Sequence, residues 1–232
     1  MEQGKQGQQR QQGQAGIEVF PSFYRKEGVC YDRLTKVLDF FQAPELIAWK
    51  VKTGQKEIRR IQSKALKMGT LVHGLIHEEF KEGAIRIMKS VPKEVLNCLT
   101  AYKAWKVDWT PKIKSMEQTH FDELDRVGCT YDMELEDTLV ELKTSKYIDK
   151  KYWIQLAVNN EVSRLRKPYV AVLRLDKEMG LYDYQRQLAK FEWLDVFDAM
   201  LKVYRFMKPD RFEGQDKTER EQDEHSRDNT GG

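Results

Sequence analysis

Apolar residues recur every three to four positions through the first half of the chain, the spacing that places them on one face of an α-helix. The pattern predicts helices that begin near Thr35, Pro44, Glu57 and Val91. The third helix contains Gly69, which indicates either a break or a close approach of another segment. The fourth ends near Trp109, ahead of Pro111. The first half of the chain is therefore predicted to be helical.

Beyond Pro111 the apolar pattern shortens to the two-residue alternation of β-strands. The predicted strands are 114–121, 128–135, 138–143 and 169–175. A helix is predicted at 151–164 and a last one at about 188–207. This order predicts an α/β fold in an α+β arrangement, with a small mixed central sheet flanked by helices and a helical N-terminal part.

The composition is typical of a single domain. A chain of 232 residues, 40% of them hydrophobic, can bury one sizeable core. We expect this domain over 17–208, with its helical part at about 31–112 and the sheet and later helices at about 113–208. The flanking segments 1–16 and 209–232 are polar and lack periodic apolar positions, which predicts two disordered arms.

Charge and cysteine content exclude several classes of protein. The net charge is +3 and 33% of the residues are charged, so any DNA affinity must come from a local basic groove. Cys30, Cys98 and Cys129 form no CxxC pair, which argues against a disulfide framework or a four-cysteine site and favours free thiols in a reducing cytosol. No apolar run approaches the roughly 20 residues that span a bilayer. We therefore expect a cytoplasmic protein that does not enter a membrane.

Candidate chemistry is concentrated in the segment 128–146. A two-residue turn at 136–137 would place Asp132 opposite Glu141 on neighbouring antiparallel strands. One face of this hairpin is then apolar, with Tyr131, Met133, Leu135, Val140 and Leu142, and the other is polar, with Asp132, Glu134, Glu141 and Lys143. A loop with an odd number of residues, or a bulge, would change this facing.

The two facing carboxylates suggest a metal site. Like charges opposite each other destabilise a sheet, whereas a bound Mg²⁺ or Mn²⁺ takes carboxylate oxygens as ligands. Lys143 projects to the same side as Glu141 and could hold or deprotonate a water that attacks phosphorus. The alternative is an ordinary solvated sheet face with surface charges.

Several motifs occur together in a familiar order. They are G-x-x-x-H at 69–73, G-x-x-x-D at 128–132, E-x-K-T-S at 141–145, and Gln155 on the following helix. In order and spacing they resemble the RecB-like branch of the PD-(D/E)xK nucleases. The segments 31–54, 170–180 and 191–207 are also similar to phage-type and mitochondrial genome maintenance exonucleases. The resemblance covers about 31–208 and implies a restriction-endonuclease-like core.

The resemblance implies a role for each matching residue. The metal ligands would be His73, Asp132, Glu141 and the backbone carbonyl of Leu142, holding one or two Mg²⁺ or Mn²⁺ ions. Lys143 would position the water, and Gln155 would steady the lysine or the substrate. Glu117 matches a carboxylate often found on the preceding strand. The chain departs from the pattern at Asn159, where a tyrosine is usual, and three cysteines cannot form the iron–sulfur cluster of some relatives.

By this resemblance the chain is expected to be a metal-dependent DNA exonuclease that acts on a strand with a free end. It would take part in DNA replication, recombination or repair, together with other proteins of those processes. One alternative is a catalytically silent DNA-binding or assembly module with a nuclease fold. Another is a structure-specific endonuclease.

Other patterns carry less weight. His73 and His77 share a helix face, but Gly74 and Ile76 stand where zinc-protease motifs need glutamate. No phosphate-binding GxxxxGK[ST] loop is present, so ATP hydrolysis is not indicated. Basic runs at 50–67 and 143–151, interleaved with aromatic residues, either line a strand-binding groove or form solvated helix faces.

Overall fold

A computed structural model describes residues 16–42, 44–85, 91–210 and 212. The strands are β1 (Ile17–Val19), β2 (Phe23–Lys26), β3 (Val29–Arg33), β4 (Ile113–Asp122), β5 (Val127–Leu135), β6 (Thr138–Lys143), β7 (Tyr169–Leu175) and β8 (Tyr182–Leu188). The helices are α1 (Leu34–Phe40), α2 (Pro44–Thr53), α3 (Gln55–Glu82), α4 (Lys93–Trp109), α5 (Lys151–Val162) and α6 (Glu192–Met207). The two predicted disordered arms fall almost entirely outside the described residues.

The strands form one mixed sheet with helices on both faces, which confirms the predicted fold class. The order is β1-β2-β3-β5-β6-β7-β8, with β4 paired to β5. The β3–β5 and β6–β7 pairs are parallel and the other pairs are antiparallel. The sheet is larger than expected, because β1 to β3 and β8 were not predicted. The chain before α1 is thus a strand meander, and the helical part starts after it.

Apolar layers cover both faces of the sheet. One lies under α3 and α4 and is centred on Ile76, Trp105, Met133 and Leu142. The layers on the other face lie under α1, α5 and α6 and include Leu38, Val158, Leu201 and Tyr131. None of the helices within the described ranges is long and apolar enough to cross a membrane.

Strand β5 leaves part of one edge unpaired. The β4 strand pairs with β5 along nearly its whole length and so occupies one edge. Strands β3 and β6 must then share the other edge of β5. β3 pairs with it at Val127 and Gly128, and β6 pairs with it at Met133 and Glu134. Between these two ladders the edge of β5 faces a gap in the sheet. Asp132 lies beside this gap, next to the end of the β6 ladder.

The predicted two-residue turn and the pairing of Met133 with Val140 are confirmed, whereas the ladder does not include the predicted pairing of Asp132 with Glu141. β5 ends at Leu135 and β6 begins at Thr138, so the turn has two residues. Met133 pairs with Val140, as the alternation required. The described ladder ends at that pair, and Asp132 Oδ2 instead accepts a hydrogen bond from the backbone N–H of Leu142 at 2.7 Å.

One part of the predicted facing is wrong. Tyr131 does not share a layer with Met133 but packs on the opposite face of the sheet, with Leu139 and Leu156. The change of face coincides with a local irregularity: Glu117 has a φ of 52°, and the β4–β5 ladder skips the pair of Glu117 and Asp132.

Helix α3 is continuous through Gly69. Of the two predictions for this glycine, a helix break is therefore wrong, and a close approach of another segment is confirmed. A Cβ at Gly69 would lie 3.5 Å from Thr144 Oγ1, which follows β6. This contact brings α3 against the C-terminal end of β6. The helix and the gap in the sheet therefore face each other.

Replacing Gly128 by alanine is expected to lower the free energy of unfolding by about 1–3 kcal/mol, the usual cost of overpacking. A Cβ there would lie 2.4 Å from Cδ2 of Tyr24 and 3.1 Å from Cε1 of Phe121. Gly74→Ala is the matched control, because nothing lies within 4 Å of its Cβ; it should raise stability by about 0.5–1 kcal/mol in the helix. Urea unfolding measures both. Equal midpoints for the two variants would contradict the crowding.

Candidate active site

A cavity of about 1060 Å³ lies between α3 and the gap in the sheet. All seven predicted site residues contribute to its wall: His73, Glu117, Asp132, Glu141, Leu142, Lys143 and Gln155. These residues come from α3, β4, β5, β6 and α5, which are far apart in the sequence. The fold therefore brings the predicted site residues to one cleft.

Three of them form a compact group that could hold a metal ion. One ligand atom from each of His73, Glu117 and Asp132 lies within 4.8 Å of the other two. The Nδ1 atom of His73 is 3.5 Å from Glu117 Oε1 and 3.4 Å from Asp132 Oδ1. The carboxylate of Glu117 thus reaches α3 from β4, at the position where the β4 backbone has a φ of 52°. One imidazole and two carboxylates are a donor set that suits Mn²⁺ or Mg²⁺.

The charges in this group shift one another's pKa values. Burial disfavours a charged imidazole, but Asp132 and Glu117 outweigh it and raise the pKa of His73 to about 10. Burial would raise the pKa of Asp132, yet the charges of His73 and Lys143 hold it below its usual value. A proton on His73 thus occupies the position between the carboxylates that a metal ion would take, and metal binding would release it.

Glu141 stands beside this group rather than in it. Its Oε1 atom accepts hydrogen bonds from Gln155 Nε2 at 2.7 Å and from Lys143 Nζ. Its Oε2 atom is buried and has no hydrogen-bond partner among the described residues. Burial and the charge of Asp132 raise the pKa of Glu141 to about 8. An unpartnered buried carboxylate oxygen is costly unless something else binds it, so it fits a metal ligand.

Lys143 is held at the wall of the cleft. Its ammonium binds Glu141 and lies 4.7 Å from the ring centre of Tyr152 on α5. Burial would lower the pKa of Lys143, but Glu141 and Asp132 raise it above its ordinary value. The amine is therefore a fixed positive charge next to the carboxylates.

The other predicted residues are placed as follows. Leu142 lines the cleft and gives its N–H to Asp132, while the role of its carbonyl stays a prediction. Gln155 is buried and bonds Glu141, as noted, rather than Lys143. Asn159 follows Gln155 by one helical turn and is fully buried, and its side-chain amide has no partner among the described residues. His77, to which the sequence analysis gave no role, lines the cleft as well.

Sequence reasoning missed several groups in the cleft wall. Tyr24 OH lies 3.2 Å from Thr130 Oγ1, which is 2.8 Å from Thr119 Oγ1. Arg33 stacks over the Tyr24 ring at 5.0 Å. Because Tyr24 and Arg33 sit on the unpredicted strands β2 and β3, no sequence signal could place them. Thr119 and Thr130 could have been found, since each is two residues from a predicted site carboxylate on the same strand.

A basic arm borders one end of the cleft. It consists of α2 and the first half of α3, residues 44–68, and most of its described side chains are exposed. The arm contains seven lysines and arginines and two glutamates, a net charge of +5 in a chain whose total is +3. Trp49 is exposed on it, and Ala65 and Leu66 reach the cleft. The predicted basic run at 50–67 is therefore an exposed, positively charged surface.

No protein-family model and no curated protein matches the chain. Among solved structures it is similar to an alkaline exonuclease (LHK-Exo) from Laribacter hongkongensis, with 10% identity and a TM-score of 0.46 over 82% of this chain and 94% of that one. The same enzyme in complex with dAMP has 9% identity and a TM-score of 0.42 over 65% and 85%. A provisionally assigned exonuclease from Eubacterium rectale has 15% identity and a TM-score of 0.45 over 65% and 68%.

Proposed function

We propose that this chain is a metal-dependent nuclease that hydrolyses phosphodiester bonds in DNA, acting as an exonuclease on a strand with a free end. The observation that supports it most is the convergence of one imidazole and two carboxylates in a cleft that also presents Lys143. Such an enzyme would work in DNA replication, recombination or repair beside the proteins of those processes, in the cytoplasm of a bacterium or of a phage-infected host.

The cofactor would be one or two Mg²⁺ or Mn²⁺ ions. His73, Glu117 and Asp132 would hold an ion, and Glu141 Oε2 with the Leu142 carbonyl would complete the ligand set. When bound, a divalent ion polarises a phosphoryl oxygen and offsets the charge that develops on it. His73 must give up its proton for this, so ion binding should be accompanied by proton release.

The chain's own residues would orient the reactants. Lys143 would hold the attacking water and stabilise negative charge on the phosphate, because its ammonium is fixed at the cleft wall by Glu141. Gln155 would hold Glu141, since its amide already donates to Oε1. Both groups are pre-positioned, which lowers the cost of ordering them during the reaction.

The direct test is digestion of end-labelled linear DNA and of circular DNA, with Mg²⁺ and with EDTA. We expect hydrolysis of the linear DNA with Mg²⁺ only. Cleavage of the circle would favour a structure-specific endonuclease instead. Salt-dependent DNA binding with no hydrolysis and no response to Mg²⁺ would favour a silent DNA-binding or assembly module.

The basic arm should contribute affinity by neutralising phosphates. Replacing the exposed residues Lys56, Arg59 and Lys67 together by glutamine is expected to weaken binding of single-stranded DNA. The logarithm of the DNA-binding constant falls linearly with the logarithm of the salt concentration. The slope of this line should become shallower by about 0.7 for each phosphate that the arm no longer neutralises. Lys103→Gln is the control, since this lysine is exposed on α4 and does not line the cleft. An unchanged slope in the triple variant would remove the arm from the binding surface.

A further inference from the structure

The basic arm holds more positive charge than the residues around it neutralise. Arg60 Nη2 lies 2.6 Å from Glu57 Oε1. Lys64 Nζ lies 3.1 Å from Glu94 Oε1. Four other cations of the arm form no ion pair with any residue in the described ranges, and these are Lys52, Lys56, Arg59 and Lys67. Cations grouped on an exposed surface without carboxylate partners attract an anionic partner.

The chain itself contains a segment of the opposite charge. Residues 213–232 form this acidic segment, which has seven acidic and three basic side chains and a net charge of −4. Five of the acids stand within nine positions, from Asp216 to Glu224. The segment contains no hydrophobic residue, so it cannot fill an apolar groove. A partner for it must be a charged or polar surface.

We propose that the acidic segment binds the basic arm of the same chain and competes there with DNA. Carboxylates and strand phosphates would then share one set of cations, and a strand must displace the acidic segment before it reaches the cleft. The contact itself needs only the two charged surfaces, whereas the competition with DNA rests on the proposed function.

The acidic segment begins beside the cleft. Phe212, the residue before it, packs edge-on against Phe23 of β2, with ring centres 5.4 Å apart. The next residue of β2, Tyr24, lines the cleft. Neighbouring side chains on a strand point to opposite faces, so Phe212 lies on the face of β2 away from the cleft. Among the described strands, only β1 lies between β2 and this edge of the sheet.

The acidic segment is long enough to reach the arm. Its last acid, Asp228, comes sixteen residues after Phe212, which spans up to about 53 Å at roughly 3.3 Å per residue. Passing around β1 takes about 10 Å, or two strand spacings. The cleft then extends from Val19 of β1 to Leu66 of the arm. The remaining length of about 40 Å is available to cross the mouth of the cleft and to run along the arm.

A segment of the same chain competes more strongly than a free peptide would. Its effective concentration at the arm can reach the millimolar range, because it is covalently attached. If it covers the arm in about 70–90% of the molecules, the apparent affinity for DNA falls about 3- to 10-fold, by the inverse of the free fraction. DNA that displaces carboxylates also releases fewer counterions, so the salt dependence of binding becomes shallower.

The first test measures binding of single-stranded DNA to the intact chain in EDTA, where no hydrolysis is needed. Three acids of the segment are neutralised in one variant: Glu221→Gln, Asp223→Asn and Glu224→Gln. This variant is expected to bind about 3- to 10-fold more tightly at low salt. Its salt slope should be steeper, by up to about 0.7 for each cation that a carboxylate had covered.

A matched control removes three acids from α6: Glu192→Gln, Asp195→Asn and Asp198→Asn. All three are exposed and do not line the cleft. Both variants gain the same net charge, so a general effect of charge would appear equally in both. The substitutions in the acidic segment should lose their effect when Lys56, Arg59 and Lys67 are also replaced by glutamine, because the two sets of charges are then no longer coupled.

The second test detects the contact directly, without DNA or metal. A carbodiimide, which joins carboxylates to amines at zero length, is expected to link the acidic segment to Lys52, Lys56 or Lys67, and mass spectrometry of the peptides identifies the linked residues. The yield should fall when single-stranded DNA is added. It should also fall in about 1 M salt, where the Debye length is only about 3 Å.

Equal DNA binding by the acidic-segment variant and its α6 control would overturn the proposal, and so would the absence of cross-links between the segment and the arm. Cross-links that join two molecules and increase with protein concentration would assign the partner to a second copy of the chain instead. Cross-links in a protein that does not hydrolyse DNA with Mg²⁺ would reject the nuclease activity and keep the contact. Hydrolysis without cross-links would reject the contact and keep the nuclease activity.

Discussion

Replacing Asp132 by asparagine is expected to reduce the rate of DNA hydrolysis by more than about 100-fold. Loss of a residue that only supports a metal ligand typically costs roughly 10- to 100-fold, and loss of a ligand itself should cost more. Asp132 belongs to the group of three ligand atoms within 4.8 Å, and its negative charge is what a divalent ion would bind. The amide oxygen of asparagine can still accept the hydrogen bond from the Leu142 N–H. The variant should therefore stay folded and lose Mn²⁺ affinity, which calorimetry measures.

Asp195→Asn is the matched control for this change. Asp195 is exposed on α6 and does not line the cleft. Its substitution removes the same charge from the chain, so a general effect of net charge would appear in both variants. Equal hydrolysis by the wild type, Asp132→Asn and Asp195→Asn would reject the assignment of Asp132.

Replacing Lys143 by methionine is expected to separate metal binding from catalysis. The rate of hydrolysis should fall by about 10²- to 10³-fold, the usual cost of losing one preorganised group that stabilises developing charge. Mn²⁺ affinity should be unchanged or higher, because a fixed ammonium beside the carboxylates repels a cation. Asp132→Asn, in contrast, should lose both properties.

Calorimetry with Mn²⁺ and a hydrolysis assay on the same Lys143→Met preparation provide the comparison. Removing the lysine leaves Glu141 buried with one partner fewer, which is expected to cost stability. The assays are therefore run well below the unfolding midpoint, and circular dichroism checks the fold. A variant that binds Mn²⁺ and hydrolyses DNA as the wild type does would show that Lys143 is not part of the reaction.

Much of the fold could be predicted because it follows from local patterns. Strand β6 has the predicted bounds, and α4 and α5 lie close to theirs, since each carries several turns or alternations of apolar residues. The turn at 136–137 was predictable because the apolar alternation on both sides allows few registers. These features depend on neighbours in the sequence.

The failures lie where distant segments decide the structure. The strands β1 to β3 have only three to five residues each, too few to show a period. Tyr131 was placed on the wrong face, and its change of face coincides with an irregularity in the pairing of β4 with β5. No local pattern near Tyr131 carries that information.

The sequence predicted which residues line the candidate site better than it predicted which of them contact one another. The motif order brought His73, Asp132 and Glu141 together, and all three do line one cleft. Their arrangement differs from the expectation: Glu117 joins His73 and Asp132, while Glu141 binds Lys143 and Gln155. Which carboxylates lie next to His73 depends on how β4, β5 and α3 pack together, and a local sequence pattern does not encode that packing.

The unpaired stretch of β5 has a consequence for the order in which the chain folds. Its borders are two short ladders, one of which joins β3 to β5 across a long loop of sequence at Asp32 and Val127. Contacts between such distant positions form slowly, because the entropy of closing the loop is lost before they contribute. Helices and the β5–β6 hairpin can form early and locally. The proposed nuclease activity would then be among the last properties gained during refolding, after the helical signal has already recovered.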